Sequence, residues 1–357
     1  MSEGRQDVRS RLLLAEAVHR HHDSRGIAVR ALAPGVQRGQ VGVLEHRPRR
    51  VAAHPVERLG QADVEQDDFV PDQGSRQFRP GRVRTLGLAI ANLDNPFFVD
   101  VALGAEERCK ELGVGVVICN SGYDPGREVQ NLDLLVQSRV QGIIITPVDE
   151  NSSRLELLRD RGVPMVFVDR VGDDRDCWSV VVDDVEGGRL GAQHLLDRGH
   201  RRLAFLGHPD RSPKVGARLS GARGALTGRP DATLELITSD SWTIEAGQSA
   251  ARALAARAPA QRPTAVLCAN DMLALGLEQQ LLRDGIQVPG DVAVVGYDDL
   301  MWASAASVPL TTVRQPRQVL GRTAVDMIME LLAGPEGVAA RRNHVVLQPE
   351  LVTRESA

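Results

Sequence analysis

From Thr85 onward the chain alternates two kinds of text. Short runs dominated by Val, Ile, Leu and Ala are followed by longer stretches in which apolar residues recur every three or four positions. The first kind predicts strands buried on both faces, the second amphipathic helices. TLGLAIANL (85–93), VGVVICN (114–120), GIIITP (142–147) and PMVFVDR (164–170) read as strands. FFVDVALGAEERCKELG (97–113), REVQNLDLLVQSR (127–139) and SSRLELLRDRG (152–162) read as the helices between them. The rhythm then repeats. EGGRLGAQHLLDRG (186–199) is a helix and RRLAFLGHP (201–209) a strand, with helices around 216–227 and 244–257. TAVLCAN (264–270), DMLALGLEQQLLRDG (271–285) and DVAVVGYDD (291–299) follow as strand, helix and strand. The pattern predicts an α/β fold made of two parallel-sheet units of similar size.

Residues 1–80 break this rhythm. HRHHD, EHRPRR and QADVEQDD are polar runs with weak helical periodicity. A length of 357 residues accommodates two or three domains. With 42% hydrophobic and 25% charged residues the chain is neither mostly disordered nor a fibre. No apolar run approaches the ~20 residues of a membrane helix. The polar start MSEGRQDVRSR lacks the apolar core of a signal peptide, so a cytoplasmic protein is expected. Cys109, Cys119, Cys177 and Cys268 form no CxxC pair and read as small core residues, not a disulfide framework or zinc site. No metal or cofactor is expected.

The net charge of −4 conceals an asymmetry. Residues 1–80 hold 13 Arg against 11 acidic residues, and residues 81–357 hold 30 basic against 36 acidic. A basic arm on an acidic body suits contact with nucleic acid. Arg-rich composition produces the same skew, because Lys110 and Lys214 are the only two lysines in the chain.

No strand-to-helix turn carries GxGxxG or GxxxxGK[ST], which argues against nucleotide hydrolysis and hydride transfer. There is no GxSxG elbow and no HExxH. Asp173-Asp174, Asp183-Asp184 and Asp298-Asp299 resemble paired acids, but adjacent side chains usually diverge, so capping or solvation is the better reading. Ligands of open α/β sheets bind beyond the carboxyl ends of the strands. Those ends carry Asp94-Asn95-Pro96-Phe97-Phe98, Thr146-Pro147, Asp169-Arg170, Asn270-Asp271 and Asp298-Asp299. Carboxylates accept hydroxyl hydrogens, Arg and Asn donate to oxygens, and aromatic faces cover C–H surfaces, as a polyhydroxylated ligand requires. The plainer alternative for each residue is a helix N-cap.

LGLAIANLDNPFF, GIIITP, PMVFVDR, VVVDDVEGGRLGAQHLLDRGHRRLAFLG, ARLSGARGAL, PTAVLCANDMLALG, VPGDVAVVGYDD, PLTTVRQP and QPELVTRES occur in this order. The set resembles the lactose/galactose-repressor family of bacterial transcription regulators, from about Arg82 to the C-terminus. The resemblance implies a regulator responsive to a sugar or related small polar molecule, a repressor and not an enzyme. It implies two Rossmann-like subdomains with parallel sheets, as in periplasmic sugar-binding proteins, preceded by an all-α helix-turn-helix headpiece. The implied divisions are 1–70 for the headpiece and 71–84 for a hinge. Residues 85–182 with 315–344 form the first subdomain, and 183–314 with 345–357 the second. Chain crossovers fall near Val182, Arg314 and His344. By resemblance, Asp169 and Asp298 are hydroxyl-binding carboxylates, Arg218 reaches a ligand oxygen and Asn270 is a donor–acceptor amide. Trp242 walls the ligand, Phe97 and Thr146 are pocket-wall positions, and Gln315 makes a cross-cleft contact. Asp298 and Arg218 are expected to meet one small polar effector, a sugar or nucleoside, from opposite sides of the gap between subdomains or close to it.

The resemblance also implies a homodimer on operator DNA. The hinge VPDQGSRQFRPGRVRTLG keeps Arg76 and places Phe78 where the family has a leucine wedge in the minor groove. Upstream the match thins, so the headpiece is degenerate. GVQRGQVGVLEHRP (35–48) is collinear with the family's GVSxxTVSxVLN, but Gln37, Gln40 and Gly42 replace Ser, Thr and Ser. Pro34 breaks the preceding turn. Two accounts stand, a decayed headpiece or a stretch read in a wrong frame. Arg38, Arg47, Arg49 and Arg50 are left as phosphate contacts. The alternative to a regulator is a soluble sugar-binding protein without DNA-binding activity; a carbohydrate-acting hydrolase would need a nucleophile or acid/base pair that is not found.

Overall fold

The computed structural model describes residues 84–149, 152–170, 177–334 and 343–357. Wholly apolar runs become strands because only a parallel sheet covered on both faces buries them. The first sheet is built from β1 (Thr85–Ile90), β2 (Gly115–Asn120), β3 (Ile143–Ile145), β4 (Met165–Val168) and β5 (Trp178–Val182). Between them run α1 (Pro96–Glu111), α2 (Pro125–Gln137) and α3 (Ser153–Asp160). After β5 the chain passes into a second unit with α4 (Asp184–Asp197), β6 (Arg202–Leu206), α5 (Pro213–Ala225), β7 (Thr233–Ile237) and α6 (Ile244–Ala255). It continues with β8 (Ala265–Cys268), α7 (Asp271–Arg283), β9 (Ala293–Asp298) and β10 (Thr311–Arg314). The chain then returns to pack α8 (Arg317–Ala333) on α1 and on the first sheet. It ends with β11 (His344–Leu347) and β12 (Glu350–Val352).

The two sheets have one order. The first runs β11-β5-β4-β3-β1-β2 and the second β12-β10-β9-β8-β6-β7. Strand order therefore reverses beside β1 in one unit and beside β6 in the other, and these are the positions where open α/β sheets take ligands. All pairings are parallel except β10 with β12, which is antiparallel. The last passage between units differs from the expectation at His344. β11 pairs with β5 in the first sheet from His344↔Ser179 to Leu347↔Val182, and the Ser179 hydroxyl bonds His344 Nδ1 at 2.7 Å. Val345, Val346 and Leu347 thus stay with the first sheet, and the chain changes sheets at Gln348-Pro349, before β12.

The crossings of helices are set by glycine. An added Cβ on Gly188 of α4 would lie 1.9 Å from the carbonyl oxygen of Arg218, and one on Gly221 of α5 1.8 Å from that of Val185. The backbones of α4 and α5 therefore touch, which fixes where α5 carries Lys214 and Arg218. The core follows the sheets, with Leu86, Leu88, Ile144, Val166 and Val180 in the first unit and Phe205, Val266, Leu267, Val294 and Val295 in the second. The four cysteines are buried thiols.

Candidate functional site

Of the polar residues at the five strand ends singled out in the sequence, Asn95 and Asn270 are helix N-caps. The Asn95 side chain accepts the Phe97 N–H at 3.0 Å and starts α1, and Asn270 Oδ1 accepts the Leu273 N–H at 3.0 Å and starts α7. The plainer alternative therefore holds for Asn270, which also donates from Nδ2 to the carbonyl of Trp242 at 3.1 Å and so orients that aromatic wall. Thr146 accepts the Ala91 N–H at 2.7 Å and ties the ends of β1 and β3 together.

The acids at the other strand ends behave differently. Asp169, after β4, and Asp298, the last residue of β9, have φ of 64° and 122°, where side chains are rarely found. Neither starts a helix. Both are buried. Burial pushes Asp298 up to about 6, against the pull of Arg218, the Gln315 hydrogen bond and Arg317.

All eight residues expected at the ligand site line one cavity of about 210 Å³ between the two units. From the first unit and the joint after β10 come Phe97, Thr146, Asp169 and Gln315; from the second come Arg218, Trp242, Asn270 and Asp298. Asp298 and Arg218 both belong to the second unit, so of the two placements expected they do not stand on opposite sides of the gap but line it from one side. The pair that faces across it is Asp169 with Lys214, whose carboxylate and ammonium form an ion pair between β4's end and the first turn of α5. Burial works against the Lys214 charge, but Asp169 outweighs it and holds the ammonium above the ordinary lysine range.

Arg218 is itself anchored. Its Nε donates to Asp184 Oδ1 at 2.7 Å and its Nη1 to the Ala269 carbonyl at 2.6 Å, while the guanidinium lies 3.7 Å over the Tyr297 ring. Burial opposes the charge, and Asp184 and Tyr297 outweigh burial and raise it further. Arg218 thus presents a fixed cation at the cavity wall. The sequence pattern does not single out Lys214, Tyr123, Asp184 or Tyr297 for the site. Lys214 carried one signal, its rarity in a chain that uses Arg almost everywhere. Tyr123 packs edge-on to Phe98 at 6.3 Å, and Phe98 to Phe97 at 5.1 Å, so three rings from the first unit oppose Trp242 of the second.

The adjacent acids diverge, as expected. Asp183 caps α4 through the Glu186 N–H, whereas Asp184 takes Arg218 and the Tyr297 hydroxyl. Asp298 faces the cavity, whereas Asp299 is bound by Arg314 and Arg354, each at 2.6 Å. Asp173, Asp174 and the expected DNA contacts Arg38, Arg76 and Phe78 lie outside the described residues.

The cavity is smaller than the ~300–1,000 Å³ of sites that enclose drug-sized ligands. Its lining combines the carboxylates of Asp169 and Asp298, the cations of Lys214 and Arg218 and the amides of Asn270 and Gln315 with the rings of Phe97, Phe98, Tyr123 and Trp242. The sequence profile described as periplasmic binding proteins and sugar binding domain of LacI family matches residues 83–347. The chain is 30% identical over 318 residues to the HTH-type transcriptional repressor PurR of Aliivibrio fischeri strain MJ11, covering 87% of this chain and 92% of that one. It is 33% identical over 303 residues to the ribose operon repressor of Escherichia coli strain K12, covering 83% and 89%. The fold overlays the lac repressor dimer bound to operator and the anti-inducer ONPF with a TM-score of 0.69 and 28% identity, covering 81% of this chain and 99% of that one.

Proposed function

We propose, from the premise that this chain belongs to the LacI family of transcriptional regulators, that it is a cytoplasmic, sugar-responsive repressor with no chemistry of its own. One observation carries this reading: eight side chains drawn from both units converge on a single cavity at the reversal points of two sheets. Asp169 and Asp298 accept ligand hydroxyls, Arg218 and Asn270 donate, Phe97 and Trp242 cover the ring faces, and Thr146 and Gln315 complete the wall. Because the donors sit on two bodies joined by three chain passages, an occupant favours one relative orientation of those bodies. That difference in affinity is what a ligand can transmit to DNA.

The protein acts as a homodimer on operator DNA, with Arg76 and Phe78 at the hinge. The arm as written contacts DNA mainly through phosphates, Arg38 included, and its binding falls steeply with salt. The test is thermal denaturation against a panel of pentoses, hexoses, purine bases and nucleosides. A true effector at a hundred times its Kd adds ~2.7 kcal/mol. A panel without a single stabilising compound sinks the reading. For a compound that does stabilise, gel titration of DNA with and without it shows whether it releases or promotes binding.

A further inference from the structure

Lys214 has a second cavity at its back. A space of about 320 Å³ lies on the side of the chain passages, lined by Val182, Asp183, Ala217 and Val346, and it shares three residues with the effector cavity, Asp169, Pro213 and Lys214. The Lys214–Asp169 ion pair is therefore part of the partition between the two spaces. The partition is made of a flexible four-carbon stem and a compact ammonium, in a chain whose other cations are almost all Arg.

We propose that Lys214 is the specificity-determining residue of the site, a bolt on Asp169 that closes the rear cavity and limits the effector to one neutral sugar ring. The inference rests on the reading of the cavity as a sugar site. A ring hydroxyl meets both halves of the bolt at once, accepting from the ammonium and donating to the carboxylate, so a neutral ligand inserts without stranding either charge. An anionic sugar gains Lys214 but faces Asp169 and Asp298. A disaccharide or a nucleoside needs space that only the rear cavity offers, and the Lys214 stem stands in the way.

The chain's two lysines allow a direct test that needs no ligand. Reductive methylation of the full chain, followed by peptide mass spectrometry, compares Lys214 with the exposed Lys110. Lys214 should react about tenfold or more slowly, because its nitrogen is bound to Asp169; equal rates overturn the bolt. The second arm is thermal shift with D-ribose and D-galactose as one-ring probes and cellobiose and uridine as two-ring probes. Wild type should respond to a one-ring probe only. Lys214→Ala should gain response to a two-ring probe, while Lys214→Met, which keeps the stem, should stay limited to one ring. A two-ring response in wild type equal to the one-ring response overturns the proposal, and so does a Lys214→Ala variant that keeps the one-ring response without widening. Silence of every probe on every variant instead removes the sugar reading, and methylation still decides the bolt.

Discussion

Gln315 donates from Nε2 to Oδ1 of Asp298 at 2.6 Å, so the first residue beyond β10 holds the acid that ends β9. The same acid has its backbone carbonyl bound by the Arg317 guanidinium. Asp298 is thus fixed at both ends by the segment that leads back into the first unit, and its remaining carboxylate oxygen is left for the cavity.

This placement makes ligand affinity depend on pH. The carboxyl of Asp298 is pushed up to about 6 by burial. Ionised, it accepts two hydroxyl hydrogens; protonated, it gives up one acceptor site. Affinity for any sugar that stabilises the protein should be level above pH 7 and fall below pH 6, approaching tenfold per pH unit. Asp298→Asn, which tolerates the same positive φ, should remove the pH step and cost ~2–5 kcal/mol of binding. Calorimetry at pH 5, 6 and 7.5 checks both, and a flat wild-type profile would take Asp298 out of the site.

Asp271 gives a pH dependence of stability instead. Its oxygens accept the Thr312 hydroxyl at 2.6 Å and the Leu300 N–H at 2.7 Å, and burial, with Asp298 adding, raises it to about 8. A carboxyl raised on folding stabilises when protonated. Its contribution is full below the unfolded value of ~4 and is lost as pH climbs through about 8. Asp271→Asn should therefore gain on wild type by a few kcal/mol between pH 4 and pH 8. Urea midpoints at the two ends measure it; a difference independent of pH refutes the assignment.

The strand ends were legible because a polar residue closing a wholly apolar run stands out against it; Asn270 there is an N-cap as well as a wall residue, whereas Asp169 and Asp298 start no helix. Elements with weaker contrast were not. β7, TLELI, is an edge strand exposed along much of both faces, so its pattern is not that of a buried run. HVVL and ELV are separated only by Gln348-Pro349, and nothing local tells that they belong to different sheets. Lys214 and Asp169 are 45 residues apart in different units, and only the fold brings them together.

Glycine at the crossing of α4 and α5 sets the position of the cavity's cations. Gly188→Ala or Gly221→Ala places a methyl under 2 Å from backbone oxygen, which no side-chain rotation relieves. Each should cost ~1–3 kcal/mol or more of stability and weaken ligand binding by shifting Lys214 and Arg218. Gly224, in the same helix, has nothing within 4 Å of an added Cβ, so Gly224→Ala should be neutral or stabilise by up to ~1 kcal/mol. Melting temperatures of the three variants decide it; equal effects at Gly221 and Gly224 would mean that the helices do not touch.

Arg317 ties the units together from the other side of the cavity. It starts α8, which packs on the first unit, and its Nε donates to Asp100 Oδ2 of α1 at 2.7 Å. Its Nη1 donates to the Asp298 carbonyl in the second unit. One guanidinium, held in place by an acid of one body, therefore grips the backbone of the other at Asp298, whose carboxylate is offered to the ligand. Hydrogen bonds from a charged group contribute ~1.5–3 kcal/mol. Arg317→Met should lose that grip and raise the radius of gyration of the ligand-free protein in small-angle scattering. It should also weaken ligand binding about tenfold, because the occupant must then bring the two units together unaided. Asp100→Asn removes only the brace on the guanidinium and should shift both quantities the same way by less. If Arg317→Met scatters like wild type and binds sugar with unchanged affinity, the contact is incidental, and the orientation of the two units is set by the chain passages and the Lys214–Asp169 pair alone.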